Sequence, residues 1–172
     1  MSFMKKKVVV KGKHRVYTRE GKFVIHLAGK IEKKLKPFCR KIKIVGSILR
    51  KEKTPVDIDI ILIPKNNESK EKIISEMKKL GRFVQGGEKR MTFRVDGVKT
   101  ELYFSKKEDW GAMLLAYTGP KGSSIGLRMI AKRKGMLLNQ YGLFRAGREL
   151  AGRTERGIYR LLGKKWKKPE ER

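Results

Sequence analysis

Two aspartates two residues apart, Asp57 and Asp59, open an apolar run, Asp-Ile-Asp-Ile-Ile-Leu-Ile, that Pro64 closes. The run reads as a β-strand over residues 57–63. Strand alternation then puts Asp57, Asp59, Ile61 and Ile63 on one face and Ile58, Ile60 and Leu62 on the other. Two carboxylates in such a strand repel each other and are costly to strip of water. A divalent cation held between them removes that cost, and hard oxygen ligands on a rigid strand suit Mg²⁺ or Mn²⁺. The same pair on a solvent-facing edge strand needs no ion, so the Asp-x-Asp alone leaves both readings open. A third carboxylate, Glu101, falls in the middle of a strand over 98–104, on the face of Lys99 and Tyr103. It is either the third ligand of the same site or an exposed residue paired with a lysine.

A second chemical feature precedes the aspartates. An apolar strand over 42–45 ends in Gly46-Ser47, which reads as a tight turn, and Arg50 follows. Glycine at a strand end lets backbone approach a phosphate closely. The amides and the Ser47 hydroxyl can donate to its oxygens, and Arg50 can add a two-pronged contact.

The remaining chain supplies elements to position these groups. Strands are expected over 8–10, 14–17 and 23–26, with turns at 11–13 and 19–22. A helix over 29–36 has Ile31 and Leu35 on one side and stops near Pro37. A helix over 67–80 carries the stripe Ile73, Ile74, Met77 and Leu80 and stops at Gly81. After a Gly86-Gly87 turn, Asp96-Gly97 is a two-residue hairpin signal between strands 91–96 and 98–104. Asp96 is assigned to that turn and not to the chemistry. A helix over 107–116, with Trp110, Met113 and Leu114 inward, leads to the turn Tyr117-Thr118-Gly119-Pro120. Ser123 or Ser124 caps the next helix, which runs to Lys134 and bears a basic face of Arg128, Lys132, Arg133 and Lys134. Strands over 136–144 and 149–151 pair around Arg145-Ala146-Gly147. Thr154 caps a last helix over 155–162, and Trp166 anchors part of the basic tail.

Charge points to the partner. The chain carries 45 Lys and Arg against 17 Asp and Glu, a net charge of +28 over 172 residues. Residues 1–50 hold 16 basic and 2 acidic groups, 51–118 hold 14 and 11, and 119–172 hold 15 and 4. Two basic ends flanking a candidate metal site favour a polyanion, most simply nucleic acid. One cysteine, Cys39, excludes an intrachain disulfide, and two histidines with one cysteine make no zinc constellation. No apolar run reaches the roughly 18 residues of a membrane span, and the N-terminus has no signal-peptide pattern. A soluble protein of a reducing intracellular compartment (cytoplasm, nucleoid or viral particle) is expected.

Gly46-Ser47-x-x-Arg50 followed by Asp57-x-Asp59 resembles the nucleotidyltransferase signature of the polymerase-beta superfamily. Several further motifs come in the same order as in family X DNA polymerases. They are Gly86-Gly87-Glu88-Lys89-Arg90-Met91, Tyr117-Thr118-Gly119, Arg128, the stretch Leu138 to Phe144, Thr154-Glu155, Ile158-Tyr159, Leu162-Gly163 and Pro169 to Arg172. The resemblance covers roughly residues 40–172. It implies an α+β fold: a nucleotidyltransferase palm with a mixed sheet and packed helices over 1–106, and a small C-terminal helix-and-hairpin subdomain over 107–172 for nucleotide and DNA. At this size, the further N-terminal domains of larger members have no room.

The resemblance also implies roles. Asp57 and Asp59 would ligate two Mg²⁺ or Mn²⁺ ions, and Glu101 the catalytic one. Gly46, Ser47 and Arg50 would hold the triphosphate. Tyr117 and Gly119 would flank the incoming sugar and base, and Arg128, Lys132 and Arg133 would contact DNA. The implied activity is templated transfer from a dNTP to a primer 3′-hydroxyl on gapped or primer–template DNA, by a monomer, in short-gap repair. Three positions depart from the family pattern: Glu101 stands where Asp is usual, Ala116 where an aromatic or His is common, and Val56 where Gly is frequent. A nucleotidyltransferase for another acceptor and an inactive basic nucleic-acid-binding module are the rival readings.

Overall fold

Helix α1 starts eight residues before the sequence pattern suggests. In the computed structural model, which describes residues 6–11 and 14–172, α1 spans Gly21–Leu35, so residues 23–26 are helical and not a strand. Phe23, Val24 and Ile25 favour strands locally. But Val24, Leu27, Ala28, Ile31 and Leu35 recur at helical spacing, and all are buried. Burying each Val, Leu or Ile is worth about 1.5–3 kcal/mol, which outweighs local β-propensity.

The chain divides into two compact units, residues 1–44 with 52–104, and residues 45–51 with 105–172. In the first, β1 (Lys6–Lys11) and β2 (His14–Arg19) form an antiparallel pair. The expected turn at 11–13 includes Gly12 and Lys13, which lie outside the described residues. After α1, β3 (Cys39–Val45) begins a five-stranded mixed sheet with β4 (Ile58–Pro64), β5 (Arg82–Gly86), β6 (Arg90–Val95) and β7 (Val98–Phe104), in the order β3-β4-β7-β6-β5. Strand β5 has no counterpart in the sequence reading. All five of its residues are exposed, so no burial pattern marks it. Helix α3 (Asn67–Leu80) matches its expected bounds: Asn66 caps it by accepting from the Ser69 amide, and Gly81 is its C-cap. Helices α1 and α3 touch each other and both pack on β4. Beneath them Ile58, Ile60, Leu62, Ile73 and Met77 are fully buried. Cys39 is buried too, and burial pushes its thiol up to about 11, against a weaker pull from Lys65.

The β6–β7 hairpin turns at Asp96-Gly97, both with positive φ (48° and 79°), as a tight two-residue turn requires. From β4 the chain crosses over and returns as β7, which lies parallel to it.

The second unit is built on its own core of Ala112, Leu115, Leu127, Ala131, Leu138, Leu143, Ile158, Tyr159 and Leu162. Gly46 and Ser47 begin α2, a single helical turn over Gly46–Leu49, where the sequence suggested only a tight turn. Helix α4 spans Trp110–Thr118. It buries Gly111, Ala112, Met113 and Leu115, whereas Trp110 and Leu114 are only half-buried. Helix α5 spans Lys121–Arg133 with Pro120 at its N-cap, so Ser123 and Ser124 are helical residues and not caps. Proline there already supplies the extended backbone that starts a helix. The stretch 136–144 is two strands, β8 (Leu137–Asn139) and β9 (Gly142–Arg145), with β10 (Arg148–Ala151) completing a three-stranded sheet. Asn139 makes the break by accepting from the Tyr141 and Gly142 amides at 2.8 and 3.2 Å. Thr154 caps α6 (Glu155–Leu161) through the Gly157 amide. Trp166 donates to Glu155 and Arg156 stacks on its ring, so part of the tail is packed.

Helices α4 and α6 approach closely at Gly111, where an added Cβ would lie 2.3 Å from the Thr154 backbone. Gly111→Ala is expected to destabilise the protein by about 3 kcal/mol through overpacking, read from its denaturant midpoint. A change below about 0.5 kcal/mol would contradict this packing. Among the described residues no helix is long and apolar enough to cross a membrane.

Candidate active site

The parallel pairing of β4 with β7 decides where the carboxylates lie. Asp59 is the direct partner of Glu101. Asp57 sits just before β4 and, like Asp59, is half-buried. Glu101 retains only 7% of its surface exposure. The exposed-residue reading of Glu101 therefore fails, although the lysine it foresaw is present.

Glu101 is surrounded by four groups. Arg90 Nη2 lies 2.9 Å from Oε1 and Lys99 Nζ 2.8 Å from Oε2. The Thr92 hydroxyl donates to Oε1 at 3.4 Å, and the Tyr103 hydroxyl lies 3.2 Å from Oε2. The Tyr103 hydroxyl also lies 3.3 Å from Asp59 Oδ1, so its one proton serves either carboxylate but not both at once. Strand register explains the set. Lys99, Glu101 and Tyr103 alternate onto one face, while Thr92 pairs with Glu101 and Arg90 with Tyr103 across the hairpin.

The electrostatics divide the carboxylates. Burial, then the charges of Glu101 and Asp57, push Asp59 up to about 6, against the pull of Tyr103 and Lys99. Burial alone would raise Glu101, but the Lys99 hydrogen bond and the charges of Lys99 and Arg90 hold it below the usual range. Glu101 is thus paired with two cations, while the pull of Lys99 on Asp59 is outweighed by burial and like charge. That donor set fits a divalent cation at Asp57 and Asp59. Among the described residues, however, no three His, Cys, Asp or Glu side chains converge to hold an ion as they stand.

The Asp59 environment has a pH signature. Between about 4 and about 6 the native carboxyl keeps a proton that the unfolded chain has released, so ionising it costs native stability as pH rises. In chelator, the stability of the protein relative to its Asp59→Asn variant is expected to fall across this window by on the order of 2 kcal/mol. Denaturant midpoints measure it, and a relative stability that rises contradicts the burial and like-charge environment.

The second unit gathers the other predicted residues. Helix α2 packs on α4, and the Arg50 side chain donates through Nη1 to the Thr118 carbonyl. A Cβ on Gly119, whose φ is +67°, would come within 3.1 Å of that nitrogen. Gly46, Ser47, Arg50, Tyr117 and Gly119 therefore belong to one neighbourhood. Arg128 and Lys132, one turn apart on α5, are exposed, as is Arg133. Arg128 lines a recess with Ala116, Ser124, Leu138 and Asn139. Sequence reasoning did not assign Arg90, Lys99, Thr92 or Tyr103 to the site. Counting back from Asp96-Gly97 would have placed Thr92 beside Glu101.

Residues 113–172 match the family model described as DNA polymerase beta thumb. The chain is 26% identical over 147 residues to a repair DNA polymerase X of African swine fever virus, covering 80% of this chain and 84% of the viral protein. With the same enzyme from another isolate it shares 25% over 173 residues, 95% of this chain and 98% of the relative. It is also 36% identical over 74 residues to DNA polymerase IV of Saccharomyces cerevisiae, covering 43% of this chain but only 13% of the yeast protein.

Proposed function

We infer that this chain, a family X DNA polymerase by its thumb match and its kinship with the viral repair polymerases, adds deoxynucleotides to a primer under the direction of a template. The observation that carries the reading is the pairing of Asp59 with Glu101 on adjacent parallel strands, with Asp57 just ahead. The first unit serves as the palm in this account. Asp57, Asp59 and Glu101 would hold two divalent ions, Mg²⁺ or Mn²⁺, which would supply activation of a 3′-hydroxyl and neutralisation of the charge that builds on the phosphates.

The chain's own groups do the rest. The Gly46-Ser47 amides and the Ser47 hydroxyl bind the triphosphate, and Arg50 adds a charge-assisted contact. Tyr117 and Gly119 flank the sugar and base, with Tyr117 opposing a ribose 2′-hydroxyl. Arg128 reaches the nascent pair, while Lys132 and Arg133 neutralise backbone phosphates. The protein works as a monomer on short gaps.

Presenting gapped DNA, single-stranded DNA, RNA and small-molecule hydroxyl acceptors with labelled dNTP tests the reading. Efficient transfer is expected only to a DNA primer paired with a template. Equal or better transfer to an untemplated acceptor would overturn it.

Binding should be steeply salt-dependent and nearly sequence-independent, because phosphate contacts release counterions. With about 5–8 contacts, the log–log slope of affinity against salt is expected at roughly −4 to −7. A flat response in a fluorescence-anisotropy titration contradicts it.

A further inference from the structure

A carboxylate offers about four acceptor positions, and Glu101 has a partner at each: Arg90 and Thr92 at Oε1, Lys99 and Tyr103 at Oε2. Two of these partners are cations, one on each of the oxygens that a metal would need. A metal reaching Glu101 must therefore displace at least one of them. Asp59 is placed differently. It shares the Tyr103 hydroxyl with Glu101, and the pull of Lys99 on it is outweighed by burial and two neighbouring carboxylates. Arg90 is half exposed and Lys99 39% exposed at the side chain, so each cation can swing to solvent and exchange its place for hydration. Glu101 itself is only 9% exposed at the side chain, so a cation that leaves must be replaced by another positive charge.

We propose that Lys99 and Arg90 are positioning residues that act as built-in counter-cations, keeping Glu101 out of the metal ligand set until substrate-loaded metal displaces them. Ligands then assemble in a fixed order, Asp57 and Asp59 first and Glu101 last. This rests on the reading of Asp57 and Asp59 as metal ligands. The longer side chain of Glu over Asp suits the exchange, since it can turn from its cations to a metal without moving the strand.

Mn²⁺ binding tests this on the full chain, without nucleotide or DNA, with free ion counted by its electron paramagnetic resonance signal. In the wild type, Asp59→Asn is expected to weaken Mn²⁺ binding by about tenfold or more, while Glu101→Gln changes it less than about twofold. The double variant Lys99→Met/Arg90→Met is expected to bind Mn²⁺ about tenfold tighter, and Glu101→Gln added to it should erase the gain.

A wild type that loses as much Mn²⁺ affinity in Glu101→Gln as in Asp59→Asn overturns the proposal, because Glu101 would already be a ligand. So does a double variant that gains nothing, or a gain that survives Glu101→Gln, which would mark a general field effect. Mn²⁺ binding indifferent to Asp59→Asn would instead sink the underlying site assignment. If the double variant fails to give a cooperative melt, Arg90→Gln and Lys99→Gln singly must show the same direction of change, and a gain in neither overturns the proposal.

Discussion

Asp57→Asn and Asp59→Asn are each expected to abolish nucleotide transfer, a loss of about 10³-fold or more, while DNA affinity stays within about twofold. Asn keeps the shape of the side chain and removes the charge that holds a cation. Asp59 feels the substitution most directly, because burial and two neighbouring carboxylates already push it up to about 6. A divalent cation relieves that strain and the amide has no need of one. The two measurements must be taken together, single-turnover extension for the chemistry and anisotropy for the DNA. Full activity in both variants contradicts the metal assignment. Loss of DNA affinity in step with activity would instead indicate a folding defect, which the melting curve identifies.

Glu101 gives the second large effect. Glu101→Gln is expected to slow extension by about 10²–10³-fold, since the amide cannot serve as an anionic ligand or accept a proton. Glu101→Asp should keep much of the rate: it is shorter by one carbon, about 1.5 Å, but stands on the same strand opposite Asp59. Asp96→Asn should leave the rate nearly unchanged. Asp96 has φ 48° in the hairpin turn, a conformation that Asn also tolerates. A harmless Glu101→Gln with an inactive Asp96→Asn would place the third carboxylate on the wrong side of the hairpin.

Where short-range chemistry decides the structure, the sequence was legible. Asn67–Leu80 was readable to the residue because a single apolar stripe and a terminal glycine agree, and the Asn66 cap confirms its start. The Asp96-Gly97 turn fixed strand alternation, and with it the face shared by Lys99, Glu101 and Tyr103. Thr154 marked its helix for the same reason. Failures came where burial overrode local preference. Phe23 to His26 looked like a strand because β-branched and aromatic residues crowd there, and only packing of Val24, Leu27 and Ala28 makes it helical. Exposed β5 carries no pattern to read.

In the site, alternation put Glu101 on one face, and that face was expected to meet Asp57 and Asp59 on a neighbouring strand, as β7 does on β4. The exact partnering with Asp59 has no local signal, because a parallel crossover has no turn signature. A lysine partner for Glu101 was foreseen from strand alternation, but Arg90, across the hairpin, was visible only as an ordinary basic residue in a basic chain. The link from Arg50 to the Thr118 carbonyl spans 68 residues of sequence and no local rule anticipates it.

Whether Asp57, Asp59 and Glu101 serve templated DNA synthesis is decided by extension across a one-nucleotide gap in Mg²⁺, with each of the four dNTPs supplied singly and each template base in turn, for the wild type and Asp59→Asn. The wild type is expected to insert the nucleotide complementary to the template base fastest in every case, and Asp59→Asn to insert none. Insertion indifferent to the template base, or undiminished in Asp59→Asn, would contradict that role.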